Sequence, residues 1–206
     1  TNLSILFICF INFAQAQDID LASIRSFEDF VARSQKGVWT QAKERDGMDI
    51  SYRDLVLSED IETRQIRVHC TVENTSLEAI MDAIRDQEKV VDWNESIKES
   101  VMLSDQVQNW ITHTMFDIPF PFSKRDLVAQ YEQYSEGGIH YVHSVAIPNY
   151  IPEIDNVERD IYSYSQWVLT PIGENSYDVS FSVITLASSS IPRFLKDPIV
   201  QGTLLD

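Results

Sequence analysis

The sequence predicts an α+β domain: a curved antiparallel sheet of about nine strands around helices. Three observations carry this. From Ile97 onward the chain is strand after strand, with turn signals such as Ser104-Asp105, Glu136-Gly137-Gly138 and Gly173-Glu174-Asn175 between them. Short hairpin links imply antiparallel pairing, and alternation implies one buried face. Helical periodicity is confined to two stretches before residue 95 and a helix start near Ile191. So wide a sheet twists and curls, and helices must fill its hollow side.

At 206 residues the chain suits one domain with a full core, and 44% hydrophobic with 23% charged residues is ordinary for a globular protein. The net charge of −16 disfavours nucleic acid and anionic membrane surfaces as partners, because both need positive patches. No Lys/Arg cluster stands out along the chain, so at most transient membrane contact is expected.

Residues 1–16 read as a signal peptide. Leu3–Ala14 is an apolar run of the right length, Ala14-Gln15-Ala16 fits small-x-small cleavage, and the run is short for a transmembrane helix. The domain then spans 18–206, and a secreted or periplasmic location follows. After cleavage Cys70 would be the one cysteine left, so no internal disulfide is expected.

Asp18–Gly37 reads as a helix through Leu21, Ile24, Phe27 and Val31, although Ser26-Phe27-Glu28-Asp29 offers a second start. Val38–Glu44 and Met48–Leu57 read as a hairpin about Asp46-Gly47. Gln65–Val72 alternates cleanly, with Ile66, Val68, Cys70 and Val72 on one face. Thr75-Ser76-Leu77-Glu78 reads as a capping box with Thr75 as cap, opening a helical region broken near Asp86. The later strands are Ile97–Leu103, Gln108–Phe116, Asp126–Tyr134, Ile139–Ala146, Arg159–Leu169 and Ser176–Leu186. Pro119 and Pro121 lie between two of them, beside Phe120 and Phe122. Proline cannot sit inside a central ladder, so a rigid corner that buries two phenylalanines is expected.

The run Pro119–Asp126, PFPFSKRD, resembles the Pro-Phe-…-Arg-Asp signature of START domains, the lipid-transfer family related to the steroidogenic acute regulatory protein. Other pieces agree in order: Trp93-Asn94 closing a helix, Arg159 eight residues before Trp167, and Ile191-Pro192-Arg193-Phe194-Leu195 opening a last helix. Glu158 departs from the Val that the family carries before its Arg. The resemblance covers residues 35–200. It implies a START-like helix-grip fold, a C-terminal helix cut short at Asp206, and a cavity for one lipid or other hydrophobic small molecule.

Other chemistry finds little support. His140 and His143 stand three apart and face opposite ways on a strand, so no metal-ligand spacing exists. There is no G-x-S-x-G, and Cys70 sits mid-strand among apolar neighbours. No cofactor is expected. Arg125-Asp126 reads first as an ion pair of the framework, with an anionic head group as the functional alternative; Arg159 has the same two readings.

The aromatic strand residues are the better clue. Tyr177, Val179, Phe181 and Val183 share one face, as do Ile139, Tyr141, His143 and Val145. The expected ligand-binding set is Trp110, His113, Arg125, Tyr131, Tyr141, His143, Arg159, Trp167, Tyr177 and Phe181. A solid, close-packed core remains the competing reading of these residues. An acyl chain leaving a membrane loses about 0.8 kcal/mol per CH₂, roughly 11 kcal/mol for about fourteen carbons, so a carrier must enclose it. The expected function is non-enzymatic lipid binding, with transfer a possible extension. An aromatase or cyclase of the same superfamily is the alternative; His113, His143, Tyr131 and Arg159 would then serve as acid/base groups. An interaction module with a filled core is the third reading.

Overall fold

The computed structural model describes residues 20–45, 47–94, 96–116 and 124–186. Three expectations therefore lie outside the described residues: the signal peptide, the Pro119–Phe122 corner and the helix from Ile191.

A short 3₁₀ turn, Leu21–Ser23, precedes helix α1 (Phe27–Arg33). The single long helix expected from Asp18 is thus divided, and the second start is the real one. Ser26 caps α1, its Oγ accepting from the Asp29 amide at 3.1 Å. The strands are β1 (Gln35–Lys36), β2 (Thr40–Arg45), β3 (Met48–Val56), β4 (Glu62–Glu73), β5 (Ile97–Asp105), β6 (Asn109–Phe116), β7 (Lys124–Glu136), β8 (Ile139–Ala146), β9 (Val157–Arg159), β10 (Ser163–Gly173) and β11 (Ser176–Thr185). Between β4 and β5 lie α2 (Leu77–Arg85) and α3 (Gln87–Trp93). Asp86 ends the first and caps the second, so the expected break falls there. The α2 cap is Ser76, however, and not Thr75: Ser76 Oγ accepts from the Ala79 amide at 3.2 Å.

All strands join one sheet in the order β1-β3-β4-β11-β10-β8-β7-β6-β5, with β2 also paired to β3 and β9 to β7. The nine expected strands are all present. The two additions, β1 and β9, are two and three residues long, too short to show alternation. The expected strand Arg159–Leu169 is really two. The chain leaves the sheet at Asp160–Tyr162, and Arg159 belongs to β9, which runs parallel to β7 with Arg159 beside Asp126. The tight turns use the residues the sequence offers: Gly137 and Gly138 both have positive φ, at 60° and 82°, which a two-residue hairpin turn requires.

The pairing register divides the sheet into two faces, because directly opposed residues point the same way. One face carries α1. Ile24, Phe27 and Phe30 pack there with Leu55, Leu57, Tyr164 and Ile184 in one buried cluster. The Phe30 and Tyr164 rings lie 5.4 Å apart. Burial of each large apolar side chain here contributes about 1.5–3 kcal/mol. The other face carries α2 and α3 at its β5 end. Gln87 accepts from Ser100 Oγ at 2.6 Å, which contacts Thr114 Oγ1 at 3.0 Å.

Candidate ligand-binding site

The α2–α3 face holds an ordered transverse row of side chains. Trp110 opposes Tyr131, Tyr131 opposes Ser144, and Ser144 opposes Ser165. Ser165 then opposes Val183, and Val183 opposes Ile66. The next row runs Gln133, Val142, Trp167, Phe181 and Val68. The β6–β8 end is thus mixed polar and aromatic, and the β10–β11–β4 end is apolar. Trp167 and Phe181 rings lie 4.5 Å apart, half-buried together with Val68, Ile66 and Val183. Tyr177 opposes Pro171 and Val72 and continues the same face. Cys70 is a free thiol here, pushed up by burial and then by the Asp178 charge.

Trp110 is wholly buried between Tyr131, stacked at 5.1 Å, and the Arg85 guanidinium, 4.6 Å from its ring. Arg85 is anchored to Asp105 and to the Val107 and Gln106 carbonyls. Burial pushes the Tyr131 phenol up, so it stays a neutral donor. Ser144 and Ser165 hydroxyls meet at 2.6 Å. Trp110 Nε1, Thr112 Oγ1 and Gln133 Oε1 are buried without a hydrogen-bond partner. All three residues belong to this face by register. A buried polar atom left unpaired costs about 1–3 kcal/mol.

Four expected ligand residues lie on the opposite face. Tyr141 opposes Val168 and Tyr134, and His143 opposes Gln166, whose neighbour-but-one Tyr164 packs on α1. His143 Nε2 lies 3.0 Å from Glu28 of α1, 3.1 Å from Gln166 and 3.2 Å from Tyr134 OH. Burial pushes the Glu28 carboxyl up, yet the His143 contact outweighs it and leaves the group below its ordinary value. Alternation grouped Tyr141 with His143 correctly. It gave no sign that this set and the Tyr177–Phe181 set face opposite ways, because the relation passes through the register of β8, β10 and β11.

His113 and Arg159 are the other two. Both converge on Asp126, which is 0% exposed. Arg159 Nη2 and Nε donate to its two carboxylate oxygens at 2.6 and 3.1 Å, and His113 Nε2 lies 2.9 Å from Oδ2. Arg159 also donates to the carbonyls of Pro148, Ile151 and Pro152, tying down the long loop before β9. Arg125 shares the α2–α3 face by register but is held by Asp160 at 2.6 Å and Glu158 at 3.0 Å. The framework reading of Arg125, Asp126 and Arg159 is the one this geometry supports. Of the expected set, Trp110, Tyr131, Trp167, Tyr177 and Phe181 share the α2–α3 face with Arg125. Among the described residues, no three His, Cys, Asp or Glu side chains come together as metal ligands do.

A STAR-related lipid transfer protein fragment from Xanthomonas axonopodis superposes with a TM-score of 0.71 at 23% identity, covering 81% of this chain and 92% of that one. The fold is START-like, of the helix-grip type. Human StAR-related lipid transfer protein 5 gives a TM-score of 0.65 at 16% identity, over 81% of this chain and 80% of that one. Human STARD10 gives 0.63 at 16% identity, over 80% and 67%. An uncharacterized Pseudomonas aeruginosa protein, PA1579, is 26% identical over 170 residues, 82% of each chain. No family model matches the sequence.

Within this START-like sheet, the sequence reading overlooked Thr112, Gln133, Ser144, Ser165 and Arg85. Alternation places the first four correctly once a face is known, but small polar residues on strands carry no signal of their own. Arg85 reaches Trp110 only because the end of α2 meets the β5–β6 turn at Asp105, Gln106 and Val107.

Proposed function

We propose that the protein binds one lipid or other hydrophobic small molecule against the α2–α3 face, as a carrier and not as an enzyme. The observation that carries this is the pairing of an apolar half, Trp167, Phe181, Val183, Ile66 and Val68, with a half that holds three unpaired buried polar atoms. A ligand with a long apolar body and a small polar group matches both halves. The START-like fold and the lipid-transfer names of the similar structures support the same reading. So does the placement of the suspected acid/base groups. Tyr131 lies on one face and His143 on the other, while His113 and Arg159 are spent on a buried carboxylate.

Extraction of lipids co-purifying with the protein, identified by mass spectrometry, tests it. A stoichiometric apolar species is expected. A protein that retains none and takes up no fluorescent lipid would refute the reading. Export follows from the apolar run Leu3–Ala14 and its cleavage pattern, and belongs to the same proposal.

A further inference from the structure

The α1 face of β3 and β4 carries a cluster that the function above does not use. Arg53 and Arg67, fourteen residues apart in sequence, are diagonal neighbours, since Arg53 opposes Gln65 and Arg67 opposes Ser51. Both guanidinium groups sit over the ring of Trp39, at 4.6 and 4.2 Å from its centroid. Each arginine is tethered by Nε alone to a neutral side chain: Arg53 to Gln65 Oε1 at 2.8 Å, Arg67 to Ser51 Oγ at 3.3 Å.

Among the described residues no carboxylate pairs with either. Arg33, Arg64, Arg85, Arg125 and Arg159 each hold one. In a chain with 32 acidic and 16 basic residues, two adjacent arginines without an acidic partner are the exception. Burial and the Arg67 charge both push the Arg53 guanidinium down, which an anion between them would relieve. Their Nη atoms form two planar forks suited to bidentate contact with an oxyanion. Val38, the residue before the half-buried Trp39, is 89% exposed. An exposed aliphatic group, an indole and two arginines together match the interface of an anionic bilayer, where Trp sits at head-group level and cations meet lipid phosphate.

We propose that Val38, Trp39, Arg53 and Arg67 form a membrane-contact site that takes the phosphodiester of an anionic lipid. The site gives the carrier proposed above a place to dock and rests on that reading for its purpose. Because the rest of the chain is strongly acidic, the contact is local and salt-sensitive.

The test is flotation of the full chain with phosphatidylcholine vesicles, with and without phosphatidylglycerol, at low and high salt. Binding is expected only with phosphatidylglycerol and is lost at high salt. Arg53→Gln and Arg67→Gln each weaken it about fivefold, and together on the order of 25-fold. Val38→Asp also weakens it, at a position too exposed to disturb folding. Fluorescent-lipid uptake from pure phosphatidylcholine vesicles stays unchanged in all of them. Equal binding to both vesicle types, or unchanged binding in the double variant and Val38→Asp, overturns the proposal. So does tight binding of inorganic phosphate to the arginine pair without vesicle binding. Arginine-dependent flotation by a protein that never takes up lipid would sink the carrier reading and leave this site standing.

Discussion

Arg159 grips Asp126 with two guanidinium nitrogens across the one parallel strand pair among the described residues, at 2.6 and 3.1 Å, with side chains 2% and 1% exposed. The same guanidinium reaches three carbonyls of the preceding loop. One side chain therefore ties β9, β7 and the 147–156 loop together. Removing one partner of a buried pair leaves the other charge uncompensated. Arg159→Met should cost about 3–5 kcal/mol. Urea unfolding with an unchanged slope and a lower midpoint would show it; an unchanged midpoint would not fit.

The same pair sets a response to acid. Burial pushes the Asp126 carboxyl up, but Arg159 and His113 pull it further down, so it ends below its ordinary value. The unfolded chain then binds the proton more readily than the folded one. The contribution is complete above about pH 4 and is lost as the pH falls through the lowered value. Asp126→Asn should be less stable at neutral pH and show a flatter acid limb by circular dichroism. Parallel limbs would remove this pair from the acid response.

Thr112 Oγ1 is a buried hydroxyl oxygen without a partner. Thr112→Val removes it at nearly constant shape. In the absence of ligand, thermal unfolding should show a gain of about 1 kcal/mol, since the desolvation cost disappears. A loss of stability would mean that the hydroxyl is engaged by the neighbouring Tyr131 phenol.

The two faces make opposite predictions for ligand uptake. Phe181→Ala or Trp167→Ala should weaken fluorescent-lipid binding roughly tenfold, the worth of about 1.5 kcal/mol of lost apolar contact. His143→Ala and Tyr141→Ala, on the α1 face, should leave it unchanged. Equal losses on both faces would place the ligand elsewhere.

The proposal of export carries its own expectation: if residues 1–16 are a leader cleaved after Ala16, the mature chain starts at Gln17. N-terminal sequencing of protein secreted with its native leader checks this. A chain retaining Leu3–Ala14 would argue against export.

Much of this was legible from the chain itself. The nine long strands, the break at Asp86 and the antiparallel class follow from alternation and turn residues, which are local properties of the backbone. So does the grouping of Ile66, Val68, Cys70 and Val72, or of Tyr141 with His143. Which groups share a face was not legible. That depends on the register of Ser165 against Ser144 and Val183, pairings between residues up to 117 positions apart in the case of Val183 and Ile66. A one-residue slip would invert it. Only the tertiary structure decided that His113 and Arg159 close on Asp126, or that Arg53 and Arg67 meet over Trp39. Periodicity records how a segment faces its own axis, whereas a site is made by segments facing one another.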